Sequence, residues 1–136
     1  MITKIAHIGI AVKDIKTASE VYRKILRSEP SAPEIVSEQG VNVVKFKVGE
    51  SVIELLEGTS SESPISRFIE KRGEGIHHIS YESDDIHQEM GRLEKEGFKL
   101  LFEEPKTGAG NSLITFLHPA NTNSVLTEIS QHKSIA

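Results

Sequence analysis

The stretch GEGIHHISYESDDI (residues 73–86) sets two histidines side by side, and its relation to the start of the chain decides the fold. Shifted by 71 positions, its core GIHHISYESDDI (75–86) lies over KIAHIGIAVKDI (4–15). His78 then falls on His7, Ile79 on Ile8, Asp85 on Asp14 and Ile86 on Ile15. Both copies read as a strand that runs into an Asp-Ile helix start. Asp14 and Asp85 carry the short acceptor side chain that caps exposed backbone N–H groups. A first helix is predicted over 15–26, with Ile15, Ala18, Val21, Tyr22 and Ile25 near one face. A second is predicted over 86–96, ended by Gly97.

Three short β-like runs follow each helix. In the first half they span 31–36, 41–48 and 51–57, the last two joined by Gly49-Glu50, a hairpin signal. In the second half they span 99–103, 112–117 and 124–130. Between the halves, SPISRFIEKR (63–72) has a cap in Ser63 and a proline at the first helical position, so it reads as a linker helix. The fold class expected is α+β. One domain (1–136) holds a first βαβββ module (1–60), a linker helix (61–74) and a second βαβββ module (75–131).

Composition removes whole classes of function. The chain has no cysteine, so disulfides, thiolate catalysis and Cys-ligated zinc are excluded. Its 16 Lys and Arg are scattered and the net charge is −4, which gives no footing for nucleic acid. No apolar run reaches the roughly 18 residues of a membrane span, and the first residues lack the shape of a signal peptide. No membrane partner and a cytoplasmic location are the expectations.

Strand parity separates the two histidines, because successive side chains point to opposite faces. His7 shares a face with Gly9 and Ala11, and His78 shares one with Ser80 and Glu82. The other faces, Ile8, Ile10 and Val12 in one copy and His77, Ile79 and Tyr81 in the other, suit packing under a helix. Small residues beside His7 and His78 leave room for a ligand. The last strand of each half adds an acid: Glu54 in SVIELLE and Glu128 in SVLTEIS. Glu54 follows His7 by 47 residues and Glu128 follows His78 by 50. A histidine at a strand start commonly serves as a hydrogen-bonded structural residue, and a glutamate in a short strand commonly faces solvent. The same pairing arising twice in register favours a metal reading instead. His7, Glu54, His78 and Glu128 would form a closed set of nitrogen and oxygen ligands for one divalent ion, Co, Ni, Mn, Fe or Zn.

At these residues the chain resembles the vicinal oxygen chelate (glyoxalase/bleomycin-resistance) superfamily. The likeness runs through HIGIAVKDI, SEQGVNVVKFKVGESVIELLE, SPISRFIEKRGEGIHHISYESDDI and EEPKTGAGNSLITFLHP, which together span nearly the whole chain. SPISRFIEKRGEGIHHI followed by EPKTGAGN is similar to the methylmalonyl-CoA epimerase branch in particular. The resemblance implies a metal-holding half-barrel of two modules, with ligands at His7, Glu54, His78 and Glu128. It implies an isomerase, a metal-dependent epimerase that removes and returns the C2 proton of methylmalonyl-CoA through an enolate. Glu54 and Glu128 would be the catalytic acid-base residues and an acyl-CoA the small-molecule partner; a homodimer is also implied. Two departures stand out: some relatives carry Gln where Glu54 stands, and some carry a Glu base where Val43 stands. The acidic Glu54 also fits glyoxalase I, a lactoylglutathione lyase, and a non-catalytic small-molecule-binding protein of the same fold is a further alternative.

The loop Lys106-Thr107-Gly108-Ala109-Gly110-Asn111 is the candidate substrate-binding segment, through Lys106, Gly108, Gly110 and Asn111. Its glycines let backbone N–H groups approach an anion or carbonyl, though a plain hairpin turn would use them as well. Glu38 and Gln39 resemble residues that relatives place near substrate. His118 reads as structural, and His87 and His132 as solvated.

Overall fold

The computed structural model describes residues 1–132. The chain divides into two compact units, His7–His77 and Met1–Ala6 with the chain from His78 onward.

In the first unit, β1 (Ile2–Ala11) supplies its last residues and leads into α1 (Ile15–Leu26). Asp14 caps α1, its carboxylate accepting from the N–H groups of Lys16 (3.0 Å) and Thr17 (3.3 Å). Those bonds, led by the one from Thr17, hold the Asp14 carboxyl below the usual carboxylate range. The sheet runs β2 (Glu34–Val36), β3 (Val41–Val48), β4 (Ser51–Gly58), β1. β3 and β4 form the hairpin expected at Gly49, whose φ of +61° suits glycine. β4 then pairs in parallel with β1, placing Gly9 beside Glu54. Phe46 and Leu55, fully buried, pack with Val12, Ile15 and Val44 beneath α1. Each such side chain contributes about 1.5–3 kcal/mol.

The helix face differs from the sequence expectation at two positions. Ile15, Ala18, Tyr22 and Leu26 meet the core, while Val21 and Ile25 are 49% and 64% exposed. The 3.6-residue period turns the stripe by one residue at the helix end, so Leu26 takes the place assigned to Ile25. The linker helix α2 (Pro64–Arg72) stands where expected, with the Ser63 hydroxyl accepting from Ile65 and Ser66 N–H.

In the second unit, β5 (Gly75–Ser83) has its residues from His78 onward, and α3 (Ile86–Lys95) follows an Asp85 cap. The opening residues of β1 lie beside β5: Asp84 N–H donates to Met1 O (3.2 Å) and the Thr3 hydroxyl to Glu82 O (3.3 Å). The sheet continues through β8 (Thr127–Gln131), β7 (Leu113–Leu117) and β6 (Lys106–Thr107). Ile86, Met90, Leu93, Leu117 and Ile129 form its core.

Here two predicted strands are corrected. The run 99–103 contributes a single bridge, Leu100 to Leu117, and the paired strand is Lys106–Thr107. Pro105 lacks an N–H and cannot donate to a ladder where the run would pass into β6. The last strand begins at Thr127 rather than 124, because Asn123 and Ser124 hold left-handed turn conformations (φ 57° and 67°).

A second repeat appears that the sequence reading missed. The first helical N–H of each helix is held by the last strand of its own unit. Ile15 N–H donates to Glu57 (3.0 Å) and Ile86 N–H to Gln131 (2.8 Å). Each acceptor lies three positions beyond the candidate glutamate.

Candidate active site

β1 and β4 carry the first candidate pair. Glu54 lies in parallel register beside Gly9, and the His7 Nδ1–Glu54 Oε2 distance is 3.4 Å. Both side chains are buried, with His7 and Glu54 each 7% exposed. β5 and β8 carry the second: Glu128 lies beside Ser80, and His78 Nε2 is 3.8 Å from Glu128 Oε2. These are also buried, at 5% and 3%. A carboxylate taken this far from water is costly unless a cation or strong donors meet it. Two such acids, each beside an imidazole, have the donor chemistry of a divalent cation site. The alternative weighed for these glutamates, that each faces solvent, does not describe them.

His77 takes the role expected of it. Its ring meets Phe68 of α2 edge-on at 5.0 Å, on the face opposite that of His78. His118 is structural: its Nδ1 accepts from Ala120 N–H at 3.0 Å. His87 is exposed. His132 is exposed as expected, and its Nδ1 is hydrogen-bonded to the Glu82 carboxylate.

An aromatic chain joins the second pair to the glycine-rich loop. The His78 ring stands edge-on to Phe116 (5.8 Å), Phe116 to Phe102 (6.0 Å), and Lys106 Nζ lies 5.7 Å over the Phe102 ring. Lys106 and Asn111 are exposed and can meet a ligand. Gly108 is glycine for a packing reason: a Cβ there would lie 2.8 Å from Ile114 Cγ2 and 2.9 Å from Ser112 Oγ. Gly110 supplies a left-handed turn with φ 65°. Glu38 is exposed and Gln39 half-buried, on a 3₁₀ turn before β3.

Val43 is buried on the Glu54 face of β3, opposite Leu56, so no carboxylate stands there. Lys45, two residues on, is the cross-strand partner of Glu54. The sequence reading missed Lys45, although the two-residue Gly49-Glu50 turn that pairs Val48 with Ser51 fixes this register. A cleft of about 470 Å³ lies by α1, lined by Ile10, Val12, Asp14, Val21, Tyr22 and Glu74. Ile10 and Val12 alternate with His7 along β1, so the cleft opens on the helix side.

Residues 6–116 match the model of the glyoxalase/bleomycin resistance protein/dioxygenase superfamily. The chain belongs to that superfamily. It is 40% identical over 133 residues to the ethylmalonyl-CoA/methylmalonyl-CoA epimerase of Cereibacter sphaeroides, covering 96% of this chain and 99% of the relative. It is 36% identical to human mitochondrial methylmalonyl-CoA epimerase over 94% of this chain and 73% of the relative. Among solved structures, a variant of Streptomyces coelicolor methylmalonyl-CoA epimerase in complex with 2-nitronate-propionyl-CoA superposes with TM-score 0.94 at 35% identity. That match covers 98% of this chain and all of the other. The superfamily fold expected from the sequence is therefore the fold of this chain. Among the described residues, no helix is long and apolar enough to cross a membrane.

Proposed function

We propose that the chain is a methylmalonyl-CoA epimerase, an isomerase that inverts C2 of its acyl-CoA substrate. The observation that carries this reading is the doubled, buried histidine–glutamate pair in a chain 40% identical to an ethylmalonyl-CoA/methylmalonyl-CoA epimerase. His7, Glu54, His78 and Glu128 would hold one divalent cation; the first three are buried donors suited to it. A cation held there would supply positive charge against the negative charge that develops when C2 loses its proton.

The proton chemistry falls to the chain's own carboxylates. One glutamate removes the C2 proton from one face while the C–H electron pair moves into the thioester. The other glutamate returns a proton to the opposite face. Val43 provides no third carboxylate, so Glu54 and Glu128 divide the two roles. Lys106 and the exposed part of the loop, Gly110 and Asn111, meet the anionic or carbonyl groups of the substrate, and Gly108 keeps that loop close to β7. The enzyme works as a homodimer in the cytoplasm.

The test is to follow deuterium entry at C2 of methylmalonyl-CoA with metal-loaded and EDTA-treated protein. Metal-dependent exchange is expected. Turnover of the glutathione hemithioacetal of methylglyoxal in place of the CoA ester would assign glyoxalase I instead. Binding of either without turnover would assign a sequestering protein.

A further inference from the structure

Lys45 stands on the Glu54 face of the first unit's sheet. Val44 and Phe46 pack with Val12, Ile15 and Leu55 beneath α1, so Val43, Lys45 and Lys47 point the other way. Across three neighbouring strands the row on that face reads Lys45, Glu54, Gly9. The hairpin register fixes how close the first two stand. A two-residue turn makes Val48–Ser51 a hydrogen-bonded pair, and alternation from there makes Lys45–Glu54 a non-hydrogen-bonded one. Pairs of that kind bring their side chains closest. The backbone of Lys45 is tied on its other side instead. Its N–H donates to Ser31 Oγ (2.9 Å), and its carbonyl accepts from Ser31 N–H (2.8 Å).

This places a cation at one candidate glutamate and not at the other. The equivalent position opposite Glu128 holds Phe116. Along β3 the exposure changes from buried Val43 through half-buried Lys45 to exposed Lys47. Desolvation of a half-buried ammonium is offset by an anion near it. Glu54 is the nearest carboxylate by register, yet in the proposed function it gives its charge to a divalent cation. The charge of Lys45 is then open to a second anion on that face. Gly9, the other neighbour of Glu54, has no side chain, so the face beside the glutamate is uncovered there. The long lysine stem reaches across one strand spacing of about 4.8 Å.

We propose that Lys45 binds the free carboxylate of the acyl group and so selects malonyl-type CoA esters over acyl-CoA esters without that charge. This rests on the epimerase reading. The carboxylate is ionised both before and after C2 loses its proton. The contact is therefore equally strong in both states and acts on substrate binding rather than on the chemical step. Lys45 takes and gives no proton; it is a specificity-determining residue.

Calorimetry measures the binding of racemic methylmalonyl-CoA, and of propionyl-CoA, which lacks only the carboxylate, to metal-loaded protein. Wild type is expected to prefer methylmalonyl-CoA. Lys45→Met keeps the stem and removes the charge. It should weaken methylmalonyl-CoA binding about ten- to a hundredfold, the worth of a hydrogen bond to a charged group, and leave propionyl-CoA binding unchanged. KM should rise by a similar factor with kcat unchanged, and metal content by elemental analysis should match wild type. Lys45→Gln should behave as Lys45→Met, and Lys45→Arg should restore most of the preference. Lys47→Met removes a charge from the same face, opposite Val52, and should alter neither affinity. Four results overturn the role of Lys45 alone: an unchanged preference in Lys45→Met, a loss shared equally by both esters, an equal loss in Lys47→Met, or a fall in kcat at constant KM. Wild-type protein that neither binds nor epimerises methylmalonyl-CoA overturns the epimerase reading and the proposal with it.

Discussion

Glu54 and Glu128 occupy equivalent positions: each sits on the last strand of its half, in parallel register with the strand that carries its histidine. Their neighbours differ. Glu54 has Gly9 on one side and Lys45 on the other; Glu128 has Ser80 and Phe116. The contrast continues on the helices, where buried Glu89 of α3 corresponds to Ala18 of α1. The two halves share backbone register, caps and the histidine–glutamate pairing, while the side chains around each glutamate differ. Two carboxylates with the same place in the fold are thereby free to do different proton chemistry.

The largest expected effects test whether both halves are needed. Glu54→Gln and Glu128→Gln should each lower the epimerisation rate by roughly 10²–10⁴-fold. A Glu54→Gln protein with full rate and full metal content would end the division of labour between them. His78→Ala should lose metal by elemental analysis while His77→Ala retains it, since His77 faces Phe68. Next come the two cores. Phe46→Ala should cost about 3–5 kcal/mol and Ile86→Ala about 2–5 kcal/mol in urea denaturation. A loss under about 1 kcal/mol at either would show that its half packs loosely.

The duplicated helix ties should be smaller and similar. Glu57→Ala and Gln131→Ala each leave a helix-terminal N–H without its side-chain acceptor, at a cost of about 0.5–2 kcal/mol by thermal denaturation. The smallest effect belongs to the second half alone. Arg92, bonded to Glu89 at 2.8 and 3.0 Å, holds the Glu89 carboxyl below the usual carboxylate range. Because the folded pKa is depressed, the stabilisation is present above the unfolded value of about 4.3 and lost as pH falls through the folded one. Glu89→Gln should therefore cost about 1 kcal/mol at pH 7, since the Arg92 partner is half exposed. The difference from wild type should vanish in acid; a constant difference from pH 7 to 2 would remove the ion pair as its cause.

What was legible in the sequence was local or periodic. Asp14, Asp85, Ser63 and Gly49 act where they stand, so caps and the hairpin were readable from neighbouring residues. Strand parity separated His77 from His78 for the same reason. Features that depend on which strands meet were not readable. The tie from Gln131 to Ile86 and the meeting of Ser80 with Ser130 need the parallel register of β5 with β8, which no short motif encodes. Lys106–Thr107 replaced 99–103 as the paired strand because two residues carry no periodicity. The exposed Val21 and Ile25 show the converse, a good apolar pattern with no core beneath it.

One strand has a consequence for how such a chain can change over time. β1 gives residues up to Ala6 to one compact unit and His7 onward to the other, and β5 is divided in the same way at His77. A cut at the boundary of the sequence repeat would deprive each fragment of part of a strand that belongs to its own fold. Recombination at that boundary would therefore carry a few residues of one unit along with the other.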